Sequence, residues 1–249
     1  MTAPVFLVDE VAPGTVVLDG PEGRHAVSVR RLNPGEPVVL TDGAGNGAFG
    51  TVTSVEGKDT LYVAVDEVRE EPAPRPRITV VQALPKGDRG ELAVETMTET
   101  GVDAIVPWAA SRCVTRWKGE RGLKSLGKWR ATAREAGKQS RRLRFPEVAE
   151  VHSTRQVAAL LAGAGLAAVL HEEGSAPLAR AELPAEGSIV LVVGPEGGVS
   201  PEELAAFGEA GAGAYRLGPS VLRTSTAGTA GAALLLGRSG RWGLSLIHI

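Results

Sequence analysis

The chain has 249 residues, 43% hydrophobic and only 4% aromatic, so a sizeable core has to be built from Val, Leu, Ile and Ala. No apolar run reaches the roughly 18 residues of a membrane-spanning helix, and Met1-Thr2-Ala3-Pro4 lacks the basic and apolar regions of a signal peptide. Cys113 stands alone, which excludes intramolecular disulfides and cysteine zinc clusters and fits a small buried side chain in a reducing cytoplasm.

Residues 1–70 read as a small β domain. Val5 to Val8, Thr15 to Leu18, Val38 to Leu40, Gly50 to Val55 and Thr60 to Val65 are short β-rich runs separated by Gly, Pro, Asn and Asp. Residues 71–76, with Pro72, Pro74 and Pro76, form a stiff polar linker. From Arg77 strands and helices alternate. Strands are expected at Ile78 to Leu84, Ala104 to Pro107, Ala167 to Leu170 and Ser188 to Val193, the last two apolar enough for a buried parallel sheet. Helices are expected near Glu91 to Thr100, Gly122 to Lys138 and Thr154 to Leu161. This is an α/β pattern with helices on both faces of a sheet.

The hydrophobic run Leu244 to Ile249 can be encoded by CTG TCT CTT ATA CAC ATC, which resembles a transposon-type sequencing adapter. Residues 244–249, His248 included, are therefore expected to be a non-native tail and are left out of functional reasoning.

The net charge of −2 argues against nucleic acid until its distribution is considered. Between Arg112 and Arg144 there are twelve Lys and Arg residues against Glu120 and Glu135, a local charge of +10. Such a stripe is the footprint of a polyanion site, because each neutralised phosphate releases counterions. A solvated helical face is the plainer alternative.

Gly45-Asn46-Gly47-Ala48-Phe49-Gly50 matches the GxGxxG pattern of dinucleotide-binding oxidoreductases. That motif works only between a buried strand and a helix whose N-terminus faces pyrophosphate. Here β-branched residues follow, and the segment reads as a hairpin turn. Gly194-Pro195-Glu196-Gly197-Gly198 is better placed, after an apolar strand and before Ser200-Pro201-Glu202-Glu203. In that second stretch Ser200 can cap a helix, Pro201 suits its first turn and Glu203 completes a capping box. The loop thus lies at the carboxyl end of a buried strand, where open α/β sheets bind ligands. It has no P-loop Lys, and Glu196 disfavours polyphosphate while tolerating a cationic sulfonium. A second loop, Leu217 to Arg223, precedes a hydroxyl-rich helix start whose side chains can satisfy free amides. Small residues from Ala227 to Ala233 allow that helix to pack closely.

These segments, in this order, resemble the RsmE family of SPOUT-class 16S rRNA (uracil-N3)-methyltransferases. The resemblance is carried by Leu84-Pro85-Lys86-Gly87-Asp88-Arg89, by Glu95 with Thr98-Glu99-Thr100-Gly101-Val102, by Ile105-Val106-Pro107 and by Arg112. It continues through Ala136-Gly137-Lys138-Gln139-Ser140-Arg141-Arg142 with Pro146-Glu147-Val148, and through both loops as far as about Gly237. His25 to Leu32 resembles the basic motif of the family's N-terminal domain. The resemblance implies an α/β SPOUT fold with a C-terminal trefoil knot over 77–243, preceded by a PUA-like RNA-binding β-barrel over 1–70. It implies a homodimer, S-adenosylmethionine as cofactor, and 16S rRNA or the small ribosomal subunit as partner, with no membrane and no metal. Cofactor contacts are implied at Leu170, His171, Val193, Gly194, Pro195, Gly197, Gly198, Leu217, Gly218, Leu222 and Thr224. RNA contacts are implied at Arg24, His25, Arg30, Arg31, Lys86, Arg112, Arg134, Lys138, Arg141 and Arg142. Many relatives carry Glu where this chain has Ser225, so that Glu cannot serve here as a base. The catalytic candidates are Arg223, to stabilise an anionic uracil, and Glu196, either as a base or as a residue that orients the loop. Another SPOUT RNA methyltransferase, or a catalytically silent RNA-binding protein, remains an alternative reading.

Overall fold

The computed structural model describes residues 3–243, so the tail at 244–249 lies outside the described residues. The chain forms two compact units. The first holds the described residues up to Ala73 together with Arg134–Phe145, and the second holds Pro74–Ala133 and the described residues from Pro146 onward.

The first unit is built from β1 (Val5–Leu7), β2 (Gly14–Leu18), β3 (Pro37–Thr41), β4 (Asn46–Glu56) and β5 (Thr60–Glu70). They form one sheet in the order β1-β3-β4-β5-β2, antiparallel except for the β1–β3 pair. A helix α1 (Gly20–Arg24) runs into a π-helical turn over His25–Val29. Phe6, Leu18, Leu40, Leu61 and Val63 form the core of this unit. The GxGxxG segment is indeed the β3–β4 turn and the start of β4. Its glycines answer to packing. A Cβ on Gly47 would lie 2.7 Å from the Leu143 side chain, and one on Gly50 would lie 2.2 Å from the Ala64 carbonyl. The returning segment 134–145 closes the unit. Thr41 Oγ1 donates to the Leu143 carbonyl at 2.8 Å, and the Phe145 amide donates to the Gly43 carbonyl at 2.8 Å.

The second unit has a seven-stranded, all-parallel sheet. Its strands are β6 (Arg77–Ala83), β7 (Ala104–Trp108), β8 (Glu147–Val148), β9 (Leu166–Leu170), β10 (Ala176–Pro177), β11 (Ser188–Val193) and β12 (Gly213–Arg216). The order is β10-β12-β9-β11-β6-β7-β8. The central strands β6, β9 and β11 are buried along most of their length, as the apolar runs of β9 and β11 require, while β6 buries Thr79 and Gln82 among its apolar residues. Helices α2 (Arg89–Thr100), α3 (Gly119–Gln139), α4 (Thr154–Ala162), α5 (Pro201–Glu209) and α6 (Thr224–Arg238) accompany the sheet, α3 running on into the first unit.

The small residues of α6 let it approach β6, β11 and α2. A Cβ on Gly231 would fall 2.6 Å from Leu191 Cδ2, and one on Gly228 would fall 2.8 Å from Met97 Sδ. The close approach also brings Thr229 Oγ1 within 2.7 Å of Thr96 Oγ1. Arg241 anchors the end of the described chain by an ion pair with buried Asp103, whose carboxylate also accepts from the Ile78 amide at 2.8 Å. None of the described helices is long and apolar enough to cross a membrane.

Candidate functional site

Because the sheet is parallel, the carboxyl ends of β9, β11 and β12 point the same way. The segments that follow them, His171–Glu172, Gly194–Val199 and Leu217–Arg223, line a single cavity of about 590 Å³. That is within the range of pockets that enclose a molecule of cofactor size. Arg89 and Arg112 complete its wall.

Local chemistry fixes each segment. Ser200 and Glu203 form the expected capping box: Ser200 Oγ accepts from the Glu203 amide at 3.3 Å, and Glu203 Oε2 accepts from the Ser200 amide at 3.1 Å. Glu203 does more than its position in the capping box foretold. Buried at 4% exposure, its Oε1 also accepts from the Ser111 amide at 2.7 Å and from Thr154 Oγ1 at 3.1 Å. It therefore ties the segment before Arg112 to the start of α5. Arg112 in turn donates to the Gly197 carbonyl at 3.1 Å. Gly198 has φ +75°, a left-handed value that favours glycine. A Cβ on Gly197 would lie 3.2 Å from Arg112 Cβ. On the neighbouring wall the His171 amide donates to the Tyr215 carbonyl at 2.9 Å, and His171 Nδ1 accepts from the Glu173 amide at 3.2 Å. An accepting Nδ1 places the ring proton of a neutral imidazole on Nε2. The Glu196 carboxylate accepts from the Lys86 amide at 3.3 Å. On the first turn of α5, the Glu202 carboxyl is held below its ordinary pKa by its own backbone amide first and then by Ser200. Burial pushes the Cys113 thiol up, so it is a poor nucleophile.

The start of α6 differs from expectation. Its N-cap is Arg223, which supplies no side-chain cap, and Thr224 and Ser225 are buried in the first turn instead of capping it. Thr226 Oγ1 donates to the Arg223 carbonyl at 3.1 Å. With no side chain covering it, this N-terminus, Thr224 included, is at the cavity wall, where its dipole favours a negative group.

Every residue expected at the cofactor or in catalysis lies around this cavity: Leu170, His171, Val193, Gly194, Pro195, Glu196, Gly197, Gly198, Leu217, Gly218, Leu222, Arg223 and Thr224. Sequence reasoning missed Arg89, Glu172 and Tyr215. Tyr215 lies on β12, a four-residue strand without an apolar run, which left no signal to find it by.

The expected RNA contacts divide. Arg24, Arg30, Arg31, Arg134 and Arg141 are exposed. His25 and Arg142 are half-buried, and the His25 ring packs edge-on against Phe6. Arg112 belongs to the cavity wall. Lys138 must be corrected. Its side chain is 5% exposed and its ammonium sits 2.7 Å from Glu22 and 3.0 Å from Glu135, inside the first unit. An ammonium enclosed by two carboxylates is not available to phosphate. Spacing on a helix gives a basic stripe but does not tell which members turn inward.

The chain matches two family models, one described as RNA methyltransferase domain over residues 71–236 and one as RNA methyltransferase PUA domain over residues 18–66. It is 47% identical to ribosomal RNA small subunit methyltransferase E of Mycobacterium bovis, over 98% of this chain and 95% of that one. It is 32% identical to the protein of the same name from Bacillus subtilis, over 88% of each. Among solved structures it is similar to ribosomal RNA small subunit methyltransferase E of Neisseria gonorrhoeae bound to S-adenosyl methionine. That likeness has a TM-score of 0.85 and 31% identity, and covers 97% of this chain and 98% of that one. A methyltransferase from Legionella pneumophila, solved with the cofactor SAM, gives a TM-score of 0.83 at 27% identity over 96% and 98%. A PUA-type segment, a SPOUT-like parallel sheet and a cavity at the strand ends thus agree with full-length likeness to named enzymes, and the chain belongs to the RNA methyltransferase family of ribosomal RNA small subunit methyltransferase E.

Proposed function

We propose that this protein transfers a methyl group from S-adenosylmethionine to N3 of a uracil in 16S ribosomal RNA. The observation that carries the reading is the cavity at the ends of β9, β11 and β12, walled by two loops in which glycine leaves the backbone open. The residues present fit that cofactor. Leu170, Val193 and Leu217 offer apolar walls, Glu172 and Glu196 suit a cation, and the uncapped start of α6 suits a carboxylate. When bound, the cofactor supplies an electrophilic methyl on a sulfonium.

The chain's own residues then have to bring an RNA base to that methyl and manage one proton. N3 lies on the Watson–Crick edge, so the target base has to be unpaired or splayed out. Arg223, exposed at the cavity rim, pairs with a uracil carbonyl and favours the anion left when N3 loses its proton. Glu196 takes that proton or orients the loop around it. Most of the rate comes from holding the reactants in attack geometry. Residues 1–70 serve as the PUA-like, barrel-type RNA-binding domain, where Arg24, His25, Arg30 and Arg31 hold flanking phosphates together with Arg134, Arg141 and Arg142. Residues 77–243 serve as the SPOUT methyltransferase domain. A C-terminal trefoil knot is supported by two loops that line one cavity and by a last helix that turns back onto β6 and β11. The working form is a homodimer in the cytoplasm, acting on the small subunit.

Calorimetric titration with S-adenosylmethionine tests the cofactor site. Binding is expected for the unaltered chain and is lost in Gly197→Arg, because even a Cβ there presses on Arg112. Mass spectrometry of small subunits after reaction should show methyl on uracil N3; a different methylated position would overturn the assignment of the acceptor atom.

A further inference from the structure

Beside the large cavity lies a smaller one of about 380 Å³, lined by Lys86, Gly87, Arg89, Val114 and Glu196. Arg89 and Glu196 line both. The wall of the smaller cavity is mostly hydrocarbon. We propose that it receives the acceptor nucleotide of the RNA, its base lying against Val114 and its phosphate between Lys86 and Arg89. This inference rests on the function proposed above and adds to it the place where the substrate enters.

Three observations carry it. First, the cavity adjoins the one assigned to the methyl donor, and a direct transfer needs the two reactants side by side. Second, charge and surface both suit a nucleotide. Lys86 and Arg89 take part in none of the ion pairs found among the described residues, so their charges are open to an anion. Third, large apolar side chains are exposed at both cavities. Val221, at 80% exposure, and Val114, at 74%, are the two most exposed large apolar side chains among the described residues. Val221 lines the larger cavity and Val114 the smaller. A base drawn out of its stack loses contact on both faces, and protein surface of this kind replaces it. Glu196, fixed by the Lys86 amide, stands at the seam between the two cavities, where a proton from the acceptor would have to pass. The same carboxylate repels a phosphate, so the phosphate belongs on the Lys86–Arg89 side.

Val114→Asp and Lys86→Gln, at two residues that line the smaller cavity and not the larger one, made in the full chain, test this against the unaltered protein. Each is titrated with S-adenosylmethionine by calorimetry and assayed for methyl transfer to small ribosomal subunits that lack the modification. Val114 is exposed enough for its change to leave the fold intact, which circular dichroism would verify. The expected result is cofactor affinity within about twofold of the unaltered protein and a KM for subunits raised about tenfold or more, the scale of one lost base contact. Unchanged KM and kcat in both variants would overturn the proposal, as would a loss that follows cofactor affinity alone. If the unaltered protein binds the cofactor yet transfers no methyl to subunits, the functional reading fails and this inference falls with it.

Discussion

Arg223 stands immediately before α6, exposed and without a capping role, so its side chain is left for whatever enters the cavity. Arg223→Ala is expected to lower kcat about a hundredfold, the scale of losing one donor aimed at developing negative charge. Cofactor affinity should be nearly unchanged, and single-turnover kinetics beside calorimetry would separate the two; full turnover in the variant would remove Arg223 from the chemistry. Ser225, where the resemblance led one to expect Glu, is 3% exposed within the first turn of α6, and α6 carries no carboxylate. A base is therefore to be sought among the carboxylates that line the cavity, Glu172 and Glu196, and not on α6. Lys138 makes the opposite point about reading charge from sequence. Lys138→Ala should lower stability by about 3 kcal/mol, because it strands Glu22 in a partly buried site. Arg134→Ala or Arg141→Ala should leave stability alone and reduce the salt dependence of RNA binding by about one charge for each lost phosphate contact. Thermal melts and binding isotherms at several salt concentrations would tell these behaviours apart.

At the scale of elements, much of the architecture was legible because each signal was local. The apolar runs of β9 and β11 announced buried parallel strands, and Ser200 with Glu203 announced the start of α5. Short strands carried no such pattern: the edge strands β8 and β10 have two residues each, and β12, between β10 and β9, has four. The loops around the cavity were legible as glycine-rich turns after strands, whereas Arg89, Glu172 and Tyr215 reach it only through tertiary placement. Glu203 was legible as a helix cap but not as the acceptor for Ser111 and Thr154, which lie 92 and 49 residues away in sequence. Removing it by Glu203→Ala leaves the Ser111 and Ser200 amides and the Thr154 hydroxyl without this acceptor, at about 1–3 kcal/mol for each that is buried. A lower melting temperature together with weaker cofactor binding is expected, since the Arg112 segment loses its tie to α5; a melting shift with unchanged cofactor affinity would deny the coupling. The β3–β4 turn offers a pH test. Burial would raise the Asp42 pKa, but hydrogen bonds from the Asn46 side chain and from the Ala44 and Asn46 amides outweigh it and leave the pKa below 3.8. Its contribution is therefore present above about pH 4 and is lost as pH falls through the lowered value. Asp42→Ala should flatten the acid side of the stability profile, as followed by urea melts between pH 2 and about pH 6.

For the whole molecule, the most telling contrast is between a net charge of −2 and the local charge of +10 along 112–144. The structure thins that stripe from within. Lys138 is enclosed, Arg130 is paired with Glu150 at 2.8 Å, and Arg144 donates to the Glu71 carbonyl at 2.8 Å. What remains is a set of exposed cations, among them Lys118, Arg121, Lys124, Lys128, Arg134 and Arg141. The closing segment Arg134–Phe145 also has a consequence for the order of assembly. The first unit is not finished by its first 73 residues, because the partner of Glu22 and the groups that meet Thr41 and Gly43 come from Lys138, Leu143 and Phe145. During synthesis the N-terminal unit therefore has all five strands of its sheet but lacks its closing segment until some seventy further residues have left the ribosome. A chain released before Phe145 would carry neither unit in finished form, so this enzyme of the ribosome is made in an all-or-nothing manner by the machine it modifies.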